Sequence, residues 1–215
     1  MTKTDKIIFK RFESIESLNQ YAANKLIETI KINLKAKIIL SGGNTPGPIY
    51  KKFNDNEVQS EDCSFVLSDE RRVCLSDKLS NEGMVRKYFK KYSDSQILSL
   101  HDPKIQNYLR ETPSYDLALL GLGLDGHFAS IFPKMSNLNE ALFSKDPLCF
   151  VSTGYPDIPR ITMSLQEILK TKIIILLAAN QEKLTLIESA LSSPNQMPIS
   201  KLLESAKNLL VLTIK

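Results

Sequence analysis

Residues 115–133 read YDLALLGLGLDGHFASIFP, in which Gly121, Gly123 and Gly126 make a G-x-G-x-x-G spacing. A dinucleotide turn has that spacing, but it opens the first βαβ unit and is followed about twenty residues on by an acid ending the next strand. Here the turn lies past mid-chain, Asp146 precedes the next apolar run, and Asp125 would bring negative charge towards a pyrophosphate. The spacing argues against a nicotinamide site. His127, one of two histidines in the chain, follows the third glycine and stands two residues after Asp125. An imidazole with a carboxylate close by to set its tautomer is the usual equipment of a general base. Capping or core packing is the ordinary structural alternative. The other histidine, His101 in SLHDPK, reads as a loop residue ahead of a helix start.

Two further stretches could do chemistry. SGGNTPG (41–47) offers backbone N–H groups and the hydroxyls of Ser41 and Thr45, with Pro46 suited to the first turn of a following helix. Such a loop suits an anion at a helix N-terminus, or its glycines serve only the turn. It lacks the G-K-[ST] of a Walker A loop. SDERR (68–72) gathers two acids and two arginines, either a surface ion-pair cluster or a bidentate phosphate clamp. No C-x-x-C, H-E-x-x-H or G-x-S-x-G pattern points to a metal site or a serine hydrolase. Cys74, after R-R-V, could be a thiolate near arginines, but reads as a small core or loop residue.

These residues need a scaffold to bring them together. The runs KIIF (6–9), KIILS (37–41), CSFVLS (63–68), DLALLG (116–121), LCFVS (148–152), KIIILLA (172–178) and LLVLTI (209–214) read as strands of a parallel sheet covered on both faces. SIESLNQYAANKLIETIKINL, NEGMVRKYFKKY, SLQEILK and NQEKLTLIESAL carry apolar positions three and four apart, with caps expected at Ser14, at Ser80 or Asn81, and at Asn180. Strands alternating with helices predict a single-domain α/β fold over residues 1–215, a mostly parallel sheet flanked by helices. In such sheets ligands bind beyond the carboxyl ends of the strands. Six of the eight glycines fall in 42–47 and 121–126, directly after two expected strands.

The composition is that of an ordinary globular protein of 215 residues with net charge +4, its lysines spread rather than blocked. No basic stripe suggests a nucleic-acid partner and no run is long enough for a membrane span. The N-terminal stretch MTKTDKIIFKRFES shows no signal peptide, and three scattered cysteines, Cys63, Cys74 and Cys149, suggest reduced thiols. A cytoplasmic location is expected.

In order along nearly the whole chain, the motifs resemble those of the 6-phosphogluconolactonases. LSGGNTPGPIYKKF resembles the family's glycine-rich segment, and LSDERRVCLSDKLSNEGMVRKYF its D-E-R segment with a downstream S-N. YDLALLGLGLDGHFASIFP resembles its most specific motif, and PRITMSLQEIL and AANQEK its last two. The resemblance implies a Rossmann-like fold of the sugar-phosphate isomerase/deaminase type and hydrolysis of 6-phospho-D-glucono-1,5-lactone, without metal or cofactor. It implies His127 as general base, organised by Asp125 and Asp69. Gly42, Gly43 and Thr45 would line the substrate, and Arg71, Arg160 and Lys183 would face its phosphate. The expected partner is a phosphorylated sugar lactone, acted on by a monomer or weak homo-oligomer, with no nucleic acid or membrane. Asn180, Phe128, Leu124 and Asp157 depart from the family's usual glycine, threonine, proline and lysine. A glucosamine-6-phosphate deaminase would carry D-E-Y and a glutamate after the D-G-H turn, and this chain has neither. A sugar-phosphate-binding module without catalysis is the other alternative.

Overall fold

The structure is a computed structural model and describes residues 6–152, 154, 156–193 and 197–215. Thr153 and Tyr155 of STGYPDIPR, and residues 1–5 of the N-terminal stretch, lie outside the described residues. In chain order the first half contains β1 (Ile7–Phe12), α1 (Ile15–Ile32), β2 (Lys37–Leu40), α2 (Gly47–Asn54), β3 (Ser64–Leu67), β4 (Asp69–Arg71), α3 (Asn81–Tyr88), β5 (Ile97–Leu98) and α4 (Ile105–Glu111). The second half contains β6 (Tyr115–Gly121), α5 (Leu138–Phe143), β7 (Leu148–Val151), β8 (Arg160–Met163), α6 (Leu165–Ile168), β9 (Thr171–Ala178), α7 (Gln181–Ser192), α8 (Pro198–Ser205) and β10 (Leu209–Ile214).

The aliphatic runs form one parallel sheet, ordered β1-β10-β9-β6-β2-β3-β5. Leu117–Leu120 and Ile174–Ala178 are buried throughout, as central strands covered on both faces require. From β2 the chain steps outward through β3 and β5, whereas β6, β9 and β10 lead to the other edge. The neighbours β2 and β6 therefore mark the switch point, where the loops leaving their carboxyl ends diverge and leave a crevice. Both glycine-rich stretches lie there. Ser14, Ser80 and Asn180 cap α1, α3 and α7, each side chain accepting an N–H of the first turn.

LCFVS is not a member of the parallel sheet. Its residues 148–151 form β7 in a separate antiparallel sheet, ordered β4-β8-β7. Cys149 and Val151 are buried while Phe150 is exposed, the alternation of a sheet with one wet face. Strands β4 (DER) and β8 (RITM) are too short and too polar to show an apolar run in the sequence. Helices α5 and α8 and the two-residue β5 also went unread. SLQEILK shrinks to the single turn α6.

Glu70 ties this small sheet to α3. It is 1% exposed, and its Oε1 accepts the N–H groups of Arg71 (2.6 Å) and Asn81 (2.8 Å). Its Oε2 accepts the Ser80 hydroxyl (3.0 Å) and the Glu82 N–H (2.6 Å). A buried carboxylate is tolerated there because donors at a helix N-terminus surround it. Glu70→Ala strands those donors and is expected to lower the unfolding free energy by about 2–4 kcal/mol. A urea melt checks this: the midpoint falls with the m-value unchanged.

Candidate active site

The crevice at the switch point is a cavity of about 260 Å³. Gly42, Gly43, Thr45, Asp69, Arg71, His127, Arg160 and Lys183, all expected from the sequence, line it together. Asp125 is not in its wall but stands behind the imidazole. Asn81, expected only as a possible helix cap, and Ala129 and Phe132 also line it.

The loop after β2 is held at its root. The Tyr50 hydroxyl, from α2, donates to the Ser41 carbonyl (2.7 Å) and accepts its N–H (3.1 Å). The Ser41 Oγ accepts the Gly121 N–H (3.3 Å), joining the two glycine-rich stretches. Beyond that root, the N–H groups of Gly42, Gly43, Asn44 and Thr45 make no hydrogen bond among the described residues. Gly43 has φ +86°, which a side chain would strain.

The turn after β6 presents the imidazole. The Gly126 N–H donates to the Gly123 carbonyl (3.0 Å) and the Gly123 N–H to the His127 carbonyl (2.8 Å), with Gly126 at φ +85°. Asp125 Oδ1 lies 2.5 Å from His127 Nδ1 and also accepts the His127 N–H at 3.2 Å. A carboxylate at Nδ1 keeps the proton there and leaves Nε2 as an acceptor. The hydrogen bond from His127, opposed by partial burial, holds the Asp125 carboxyl below its ordinary value of 3.8. Its stabilisation of the turn is present above that value and lost as pH falls through the depressed one. The Phe132 ring packs 4.5 Å from the imidazole on one side and 5.3 Å from the Arg160 guanidinium on the other.

Among the described residues the cations of the cavity make no ion pair. Arg71 and Arg160 are direct partners in the β4–β8 register, so two cations face each other across a buried ladder. Arg71 Nη1 donates to the Leu79 carbonyl (2.7 Å) and Arg160 Nη2 to the Pro156 carbonyl (3.1 Å). The buried Nε groups of both have no partner, and Arg160 is only 3% exposed. Burial, then the charge of Arg71, pulls the Arg160 guanidinium below its usual range, while Asp69 opposes. Lys183 projects from the first turn of α7, is lowered by burial, and has no side-chain partner among the described residues. Asp69 is the carboxylate in the wall, its oxygens accepting from Ser68 (3.1 Å) and Ser130 (2.6 Å). An anion between the arginines would supply the missing charge and acceptors.

The remaining marked residues find ordinary places. Asn180 accepts the Lys183 N–H (3.0 Å), so this departure from the family pattern caps the helix that carries the lysine. Asp157 and Leu124 are exposed, and Phe128 is in the core. His101 is an exposed loop residue whose Nε2 is 3.1 Å from the Arg71 carbonyl. Cys74 is exposed, Cys63 and Cys149 are buried, and all three are free thiols. Among the described residues no group of three His, Cys, Asp or Glu side chains could hold a metal ion.

The model of the glucosamine-6-phosphate isomerases/6-phosphogluconolactonase family matches residues 10–211. The chain belongs to this family. Within it, the chain is 29% identical over 201 residues to a 6-phosphogluconolactonase of Caulobacter vibrioides, covering 85% of this chain and 87% of that one. A 6-phosphogluconolactonase of Thermotoga maritima is 31% identical over 165 residues, 70% of this chain and 72% of the relative. The crystal structure of a 6-phosphogluconolactonase from Shewanella baltica superposes with a TM-score of 0.88 at 27% identity, covering 97% of this chain and 98% of that one.

The family's G-x-G-x-D-G-H turn has a steric reason at its second glycine. A Cβ on Gly123 would stand 2.2 Å from His127 Nδ1 and Cε1. Gly123→Ala is therefore expected to displace the imidazole and reduce turnover about 100-fold or more. Steady-state kinetics on a variant with unchanged circular dichroism checks this.

Proposed function

We propose that this protein hydrolyses 6-phospho-D-glucono-1,5-lactone to 6-phospho-D-gluconate, the lactone-opening step of the oxidative pentose phosphate pathway. Residues 1–215 act as one lactonase domain in the cytoplasm, as a monomer or weak homo-oligomer. Among the described residues no helix is long and apolar enough to cross a membrane. The observation that carries the reading is an imidazole and a cation cluster without ion-pair partners among the described residues in one cavity: His127, backed by Asp125, on one wall, with Arg71, Arg160 and Lys183 also lining it.

The cations bind the phosphate, with the Thr45 hydroxyl beside them. This grip lies away from the reacting carbon, so its binding energy orients the lactone. The neutral imidazole takes a proton from water at Nε2 while Nδ1–H donates to Asp125. The water oxygen bonds to C1, and the carbonyl π pair moves to its oxygen. The Gly42 and Gly43 N–H groups are the donors available to that oxyanion. When the tetrahedral species collapses, the bond from C1 to the ring oxygen breaks. The imidazolium returns its proton to that oxygen, and the new carboxylic acid loses one proton to solvent. Water is the only co-reactant, so the reaction asks for no electron or group carrier. Asp69, bound by two serine hydroxyls, stands beside the cations on the same strand as Arg71 and helps orient the sugar.

The test uses freshly generated lactone, with spontaneous hydrolysis subtracted. His127→Ala is expected to lower kcat by about 10²–10⁴-fold with the fold intact; near-native turnover would remove it as the base. Arg160→Ala and Lys183→Ala are expected to raise KM by about tenfold or more, with the smaller effect on kcat. An unchanged KM in both would place the phosphate elsewhere.

A further inference from the structure

The cavity wall carries many fixed donors, and among its side-chain acceptors few are both rigidly oriented and unengaged. Arg71, Arg160, Lys183 and the loop N–H groups all donate, while both oxygens of Asp69 already accept from serine hydroxyls. A sugar lactone brings hydroxyl groups, which need acceptors as they leave water. Asn81 supplies one. It is 2% exposed, its backbone N–H donates to Glu70, and its Nδ2 donates to the Asp69 carbonyl at 2.9 Å. That second bond fixes the amide orientation and turns Oδ1 away from Asp69. Oδ1 lies against Gly42, where a Cβ would meet it at 1.9 Å, and accepts no hydrogen bond among the described residues. This oxygen is not one of the buried unpaired atoms, so it stays open to the cavity, where a ligand hydroxyl can take the place of water.

We propose that Asn81 is a specificity-determining residue whose Oδ1 accepts a hydrogen bond from a hydroxyl of the phosphosugar. This rests on the lactonase reading and extends it: Asn81 would discriminate the hydroxylated substrate from one lacking that hydroxyl. The discrimination comes from the amide, which no water replaces once the sugar covers it.

The experiment is a cycle in binding constants, measured by calorimetry with 6-phospho-D-gluconate and its 2-, 3- and 4-deoxy counterparts. Wild type is expected to bind one deoxy ligand about three- to tenfold more weakly than the parent. That penalty is expected to vanish in Asn81→Leu and to survive in Asn81→Asp, which keeps an acceptor. Asn81→Ala serves the same comparison should the leucine variant not fold. A merely structural role would weaken all four ligands alike and leave the penalty in place. Equal binding of all four by wild type, or a penalty that persists in the leucine or alanine variant, overturns the proposal. Lactone turnover measured alongside separates the two readings. Turnover without the Asn81 penalty removes this inference alone, and the penalty without turnover removes the lactonase reading alone. Failure of wild type to bind any of the four ligands, together with no turnover, removes both.

Discussion

Successive side chains of an extended strand point to opposite sides, and the three residues of β4 exploit that rule. Asp69 and Arg71 face the cavity, so Glu70 must face away, where the N-terminus of α3 meets it. One tripeptide thus supplies a wall carboxylate, a cation, and the clamp that seats the helix carrying Asn81. Pairing with β8 then dictates where Arg160 stands, because the antiparallel register leaves it no position except opposite Arg71. The electrostatic tension of the site follows from strand geometry.

Much of this was legible in the sequence because it depends on local rules. Long aliphatic runs announce a covered parallel sheet, and glycines immediately after such runs mark places where the backbone turns sharply near a ligand. The D-G-H turn is local in the same sense: Asp125 reaches His127 across two residues, a contact any chain with that turn can make. The small antiparallel sheet was not legible, because its members lie far apart in sequence. Arg160 has no apolar periodicity around it to reveal a strand. Its partner is 89 positions earlier, and only folding brings the two together. Asn81 was hidden for a related reason. It read as a choice of cap for α3, yet Ser80 takes that task and leaves the amide for the cavity.

The site is held in shape before any ligand arrives. Tyr50 pins the first glycine loop, Ser41 joins it to the second, and Phe132 packs against both the His127 imidazole and the Arg160 guanidinium. Ala129, with φ +50°, holds a backbone conformation that residues with a Cβ disfavour, next to the imidazole. Such strain persists only where surrounding packing fixes it. Here that packing is the buried Phe128 and Ile131 on either side, and the Ser130 N–H and hydroxyl bonded to Thr162 and Asp69.

The unpaired arginines also bear on what happens after the bond is broken. On the proposed reading the phosphate is untouched by lactone opening, so whatever Arg71, Arg160 and Lys183 would gain from it before the reaction they would gain equally afterwards. The departing molecule even carries one more negative charge than the one that entered. A grip of this kind cannot by itself favour the transition state over either end of the reaction. It would set instead how long the opened acid lingers, and a long residence would cap turnover however good the base.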